Sequence, residues 1–182
     1  MPVVPLDKSV YVFAIDDVLY PKRDYLLQVY YLFANFVEFT EGKPVAKELL
    51  AYMKYTYERE GEAGLLAKTL AAFELPEAYL ANYERLEANA QLPLKLILID
   101  KTKDLLKALF AAEKKFAILT DGNPVEELNK LKHIDWEDLT AIKNQLKVFF
   151  TKELDFRGID AIAFIAESFA VESAEIQFVN YD

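Results

Sequence analysis

Short unbroken apolar runs alternate with longer stretches of helical periodicity along this chain. Val10-Tyr11-Val12-Phe13-Ala14-Ile15 is a β-branched and aromatic run that stops at Asp16-Asp17, and Phe116-Ala117-Ile118-Leu119 is closed by Thr120-Asp121-Gly122. Such runs fit strands buried on both faces. Residues 146–150 and 176–179 form two further runs, and helical patterns separate all four. Strands alternating with helices predict an α/β fold, a Rossmann-like doubly wound parallel sheet. The first strand is expected to lie between the second and the fourth.

The stretch between the first two strands is too long for an ordinary βα connection. Pro21 suits a first helical turn, and Tyr25, Leu26, Val29, Tyr30, Phe33, Phe36 and Val37 recur at helical spacing up to Gly42. Pro44 opens a second helix with Val45, Leu49, Tyr52, Met53 and Tyr57 on one face. Leu65, Leu66, Thr69, Leu70 and Phe73 mark a third, and Pro76 leads into a fourth carrying Tyr79, Leu80, Tyr83 and Leu86. The expected organisation is an α/β core from residues 1–20 and 93–182, with an all-helical subdomain, 21–92, inserted after the first strand. Past the second strand, Asn123 can cap a helix starting at Pro124, with Val125, Leu128 and Leu131 expected on its buried face. A last helix is expected from Asp160 to Phe169.

Composition narrows the chemistry. The 182 residues carry 21 Lys plus Arg against 30 Asp plus Glu, a formal charge of −9, which disfavours binding to a phosphate backbone. No nucleic-acid partner is expected. Apolar residues make up 53%, enough for a packed core, and no apolar run approaches a membrane span, so no membrane partner is expected either. The absence of Cys removes thiolate nucleophiles, disulfides and Cys-ligated metals, and the single His, His133, removes multi-His metal sites. His133 follows a lysine at a helix C-terminus, where an exposed residue facing the dipole is expected. Met1-Pro2-Val3-Val4-Pro5 lacks a basic, then apolar, leader pattern, and the cytoplasm is the expected location.

Ligands of open parallel sheets bind beyond the carboxyl ends of the strands, which directs attention to Asp16, Asp17, Thr120, Asp121 and the residues after Val179. Phe13-Ala14-Ile15-Asp16-Asp17-Val18-Leu19-Tyr20 resembles the first motif of the haloacid dehalogenase (HAD)-like hydrolases, an apolar strand followed by Asp-x-Asp-x-Thr-Leu-Tyr. Ile118-Leu119-Thr120-Asp121-Gly122 resembles their second motif, and the helical insert sits where that family carries its cap. The resemblance covers almost the whole chain. It implies a phosphatase-like core in which the first carboxylate attacks phosphorus and the next Asp but one serves as acid and base.

The chemistry departs from that pattern. The nucleophile position is Ala14, and only the acid-base position, Asp16, keeps its carboxylate. A methyl group cannot attack, and taking Asp16 as nucleophile instead puts Val18 at the acid position. No register supplies both groups. Where the family's third motif places a Lys, alignment on Phe164 puts Gly158, with Arg157 beside it as a candidate substitute cation and Lys152 further away. The fourth motif, a carboxylate source for magnesium, reads Val179-Asn180-Tyr181-Asp182. Asp16 alone is a poor basis for octahedral magnesium, so no metal and no cofactor are expected unless the site works in an altered form.

Ordinary structural roles compete with these assignments. Asp16 and Asp17 can end a strand and satisfy loop amides, and Thr120-Asp121-Gly122 can be a strand-to-helix turn as readily as an anion cradle. The abundant Tyr and Phe of the insert are expected to pack the core, or else to offer a partner surface through which copies of the chain or another protein dock. Two functions remain open. One is a homologue of HAD-like hydrolases that has lost its reaction and binds a phosphorylated molecule, an anion or a partner. The other is a working hydrolase of a small phosphorylated metabolite, using Asp16 with Arg157 or Lys152.

Overall fold

The computed structural model describes residues 4–181; Met1, Pro2, Val3 and Asp182 lie outside the described residues. The chain begins with β1 (Val10–Phe13) and continues through four helices, α1 (Lys22–Glu41), α2 (Ala46–Glu60), α3 (Leu65–Ala72) and α4 (Tyr79–Asn89). It then runs β2 (Leu96–Ile97), α5 (Asp100–Ala111), β3 (Lys115–Thr120), α6 (Pro124–His133), β4 (Ile134–Asp135) and α7 (Thr140–Lys143). The last elements are β5 (Lys147–Phe150), α8 (Thr151–Phe156), α9 (Ala161–Phe169) and β6 (Ile176–Val179). Two compact units result, one spanning Arg23–Leu94 and one built from the chain on either side of it.

The larger unit is built on a parallel sheet in the order β5-β3-β1-β6, which sets the first strand between the second and the fourth apolar runs, as expected. β1 is central and its four residues are buried, as a strand with helices over both faces requires. Phe13 is in register with Ile118 on one side and Val179 on the other, so the segments after β1, β3 and β6 leave the sheet at one level. One face packs Val10, Val12 and Ala117 against Ile165 of α9, with Phe149 and Phe169 at the margin. Asp160 caps α9 by accepting from the Ala163 N–H at 2.7 Å.

The first strand is shorter than the apolar run. Ile15 is buried but leaves the ladder, because its carbonyl accepts from Leu19 N–H at 3.0 Å and closes a turn. A two-residue parallel pair, β2 with β4, lies outside the main sheet and is too short to register as a periodic run.

The helical unit has an aromatic core. Tyr25, Tyr30 and Phe33 of α1 are fully buried, and Phe33 meets Tyr79 and Tyr83 of α4 edge to face. Burial and the neighbouring carboxylates Glu62 and Glu87 push the Tyr30 phenol above the usual tyrosine range, and among the described residues its hydroxyl has no hydrogen-bond partner. Phe36, expected on the buried face, is instead partly exposed, because its position drifts off a stripe that the other six residues fill. Among the described residues no helix is long and apolar enough to cross a membrane.

Candidate functional site

The turn after β1 orients two carboxylates differently. Ala14 is exposed at the end of the strand. Asp17 adopts φ 61°, a left-handed conformation that Asp tolerates better than most residues, and its Oδ1 accepts from Lys22 N–H at the start of α1. Asp17 therefore acts as a turn and helix-start residue. Asp16 is turned towards α6. Its Oδ1 accepts from the Tyr20 hydroxyl at 2.8 Å, and its Oδ2 lies 3.0 Å from the Lys130 ammonium.

Lys130 is the centre of this arrangement. Besides Asp16 it pairs with Glu126 at 2.9 Å and Glu127 at 2.7 Å, its neighbours one helical turn back. Glu127 and Lys130 are each only 3% exposed, a burial that charged side chains reach only when paired. Burial by itself pulls an ammonium pKa down, but Asp16, Glu127 and Glu126 together outweigh it and hold Lys130 protonated well above the usual lysine range. Three carboxylates face one cation.

Thr120 ties this cluster to the sheet. Its hydroxyl donates to Glu127 Oε2 at 2.7 Å and accepts from Gly122 N–H at 3.2 Å. Gly122 is required by close approach, since a Cβ there would lie 2.5 Å from Glu127 Cδ. Of the expected cradle, Thr120 and Gly122 thus converge on an anion that the chain itself supplies, while Asp121 is exposed.

This places α6 the other way round from its apolar pattern. Asn123 caps it as expected, accepting from Val125 N–H at 2.9 Å. The face turned inward, however, carries Glu127, Lys130 and His133, while Val125 and Leu128 are 54% and 50% exposed and Leu131 is half-buried. The polar face wins because Asp16 and Thr120, at the strand ends, offer partners that satisfy its charges. His133, expected at the surface, is buried, with Nδ1 donating to the Asn129 carbonyl at 2.8 Å.

The other candidates lie apart from the network. Arg157 is exposed beyond α8, 4.0 Å from Glu153, and Lys152 is exposed; the cation at Asp16 is Lys130. Tyr181 turns to α5, sharing a 2.9 Å hydrogen bond with Thr102, whose hydroxyl also bonds the Val18 carbonyl. Lys101 sits 3.6 Å over the Tyr181 ring. Burial raises the Tyr181 phenol pKa and the Thr102 bond moderates the rise. The side chains do not fit the magnesium ion that the fold's hydrolases imply. Ala14 offers no ligand, Tyr181 faces Thr102, and both Asp16 oxygens are engaged; among the described residues no cluster of three His, Asp or Glu is arranged to hold a metal.

Tyr20, Glu126, Glu127 and Lys130 escaped the sequence reading. The signal was present: Glu126 and Glu127 stand four and three residues before Lys130, spacings at which helical side chains pair. What spacing cannot show is that such a pair points inward.

Comparison with solved structures agrees with this architecture. The chain is similar to a haloacid dehalogenase-like family hydrolase from Xanthomonas campestris, at 14% identity over 97% of this chain and 74% of that one, with a TM-score of 0.51. It is likewise similar to a HAD family hydrolase from Deinococcus radiodurans R1, a structure with bound phosphate and sodium, at 16% identity over 96% of this chain and 72% of that one, with a TM-score of 0.52. The chain has the α/β fold of the HAD-like hydrolases, with a helical cap. No protein-family model matches the sequence, and no curated protein is similar to it.

Proposed function

We propose that this chain is a non-catalytic relative of the HAD-like hydrolases, whose substrate position is closed by its own side chains and which acts by binding a partner. One observation carries the reading: Lys130 is bound by Asp16, Glu126 and Glu127 together, and Glu127 also takes the Thr120 hydroxyl. The cation and the hydroxyl that could neutralise an incoming phosphoryl group already hold a carboxylate. Asp16, the remaining acid-base candidate, is held by the same ammonium on one oxygen and by the Tyr20 hydroxyl on the other. With Ala14 in the attacking position no covalent intermediate can form.

Lys130 also gives the rival reading some support, since it sets a cation beside Asp16, where an altered hydrolase would want one. Turnover of a broad phosphomonoester panel in magnesium-containing buffer decides between the two. The expected result is no hydrolysis above background for the native chain and at most a trace for Ala14→Asp. The latter follows because catalytic groups act as a unit and restoring one leaves the others missing. Turnover of about 1 per second or faster that Asp16→Asn abolishes would establish the altered hydrolase instead.

A further inference from the structure

Helix α1 has a second face, with aromatic and aliphatic side chains, that its own unit covers only at one edge, where Phe36 meets the Tyr79 ring at 6.1 Å. At about 100° per residue, Gln28, Leu32, Asn35 and Phe39 fall in one line, spaced four, three and four, with Tyr31 and Phe36 on its flanks. Phe39 is 88% exposed, Tyr31 46% and Phe36 38%. Leu94, 70% exposed, extends the line, because its N–H donates to Gln28 Oε1 at 2.8 Å. Between Gln28 and Phe39 the line carries no charged side chain, and Asp24 stands on it one turn before Gln28. Its polar members fold back on the helix: Gln28 donates to the Asp24 carbonyl and Asn35 to the Tyr31 carbonyl, at 3.2 and 2.7 Å. Glu38, at the margin, is held by the Ala46 N–H at 2.9 Å.

We propose that this face is where a second copy of the chain docks, α1 lying antiparallel on α1. The four-three-four spacing is that of a two-helix seam. The six positions are also symmetric about the midpoint between Phe33 and Ala34, so a two-fold axis there sets Leu32 of one copy opposite Asn35 of the other and Tyr31 opposite Phe36. Charge is compatible with this occupant: although each copy carries −9, the uncharged stretch from Gln28 to Phe39 lets two copies meet along the seam without opposing like charges there. Size fixes the strength. Aromatic side chains bury about 150–250 Å² each, and these exposures give on the order of 1,000 Å² over both copies, the lower end for a specific interface. The dimer is therefore weak, with a dissociation constant in the micromolar range.

Sedimentation equilibrium of the full chain between about 1 and about 300 µM, which brackets such a constant, tests the proposal. The weight-average mass should climb from the monomer towards twice that value, and Phe39→Glu should weaken association about tenfold or more while leaving far-UV circular dichroism unchanged. Because the chain has no Cys, mixing Leu32→Cys with Asn35→Cys should give a cross-linked dimer on mild oxidation, and more of it than either variant alone. A chain that stays monomeric throughout overturns the proposal and leaves the face to a different protein. A Phe39→Glu variant that dimerises like the native chain overturns it as well.

Discussion

Lys130 holds three carboxylates, and its removal leaves them facing one another under partial burial. Breaking a buried ion pair from one side costs about 3–5 kcal/mol, so Lys130→Met should lower unfolding stability by roughly that much in urea titrations. The pH dependence has a definite sign. The folded state raises the Lys130 pKa, so its contribution is complete below the ordinary lysine value of about 10.4 and is lost as pH climbs beyond it. Tyr30 and Tyr83, whose phenols burial also raises, act in the same direction from about pH 10 upwards. The native chain should thus lose stability steeply in alkali, and Lys130→Met should lose less of it there. Gly122 offers a second test. Gly122→Ala should cost about 1–3 kcal/mol through overlap with Glu127, and in a Glu127→Ala background most of that penalty should vanish.

Helix α6 shows where a sequence pattern reaches its limit. Its cap was legible, since Asn123 before Pro124 is a local signal, and Asn123→Ala should cost about 1 kcal/mol in thermal or urea unfolding. Its buried face was not, because Val125, Leu128 and Leu131 form as good an apolar stripe as many core helices. The deciding partners, Asp16 and Thr120, sit on other segments of the chain. Leu128→Gln accordingly should change stability by less than about 0.5 kcal/mol, whereas a core leucine would cost several times more. The strands of the main sheet were legible for the opposite reason: β1 is buried on both sides, so its run of apolar residues needs no knowledge of its neighbours. Of the site, Asp16, Thr120 and the missing carboxylate at Ala14 could be read from motif positions. Lys130 could not, since a cation from α6 has no place in the pattern that pointed to Arg157.

At the scale of the whole molecule, the net charge of −9 opposes self-association, and the uncharged stretch of α1 from Gln28 to Phe39 favours it. Salt screens the repulsion between copies and leaves apolar contact intact, so self-association should tighten between low and physiological ionic strength. A dimer held by ion pairs would weaken instead. The central claim concerns the other unit: Glu127 closes the anion position of the site from within, leaving Thr120 and Lys130 no capacity for a phosphoryl group. Titration of inorganic phosphate into the native chain and into Glu127→Ala, followed by the Gly122 amide and Lys130 side-chain signals in NMR, tests it most directly. The account predicts no saturable shift in the native chain at millimolar phosphate and a saturable one in Glu127→Ala. Phosphate binding at the same signals in the native chain, as tight as in the variant, would contradict it.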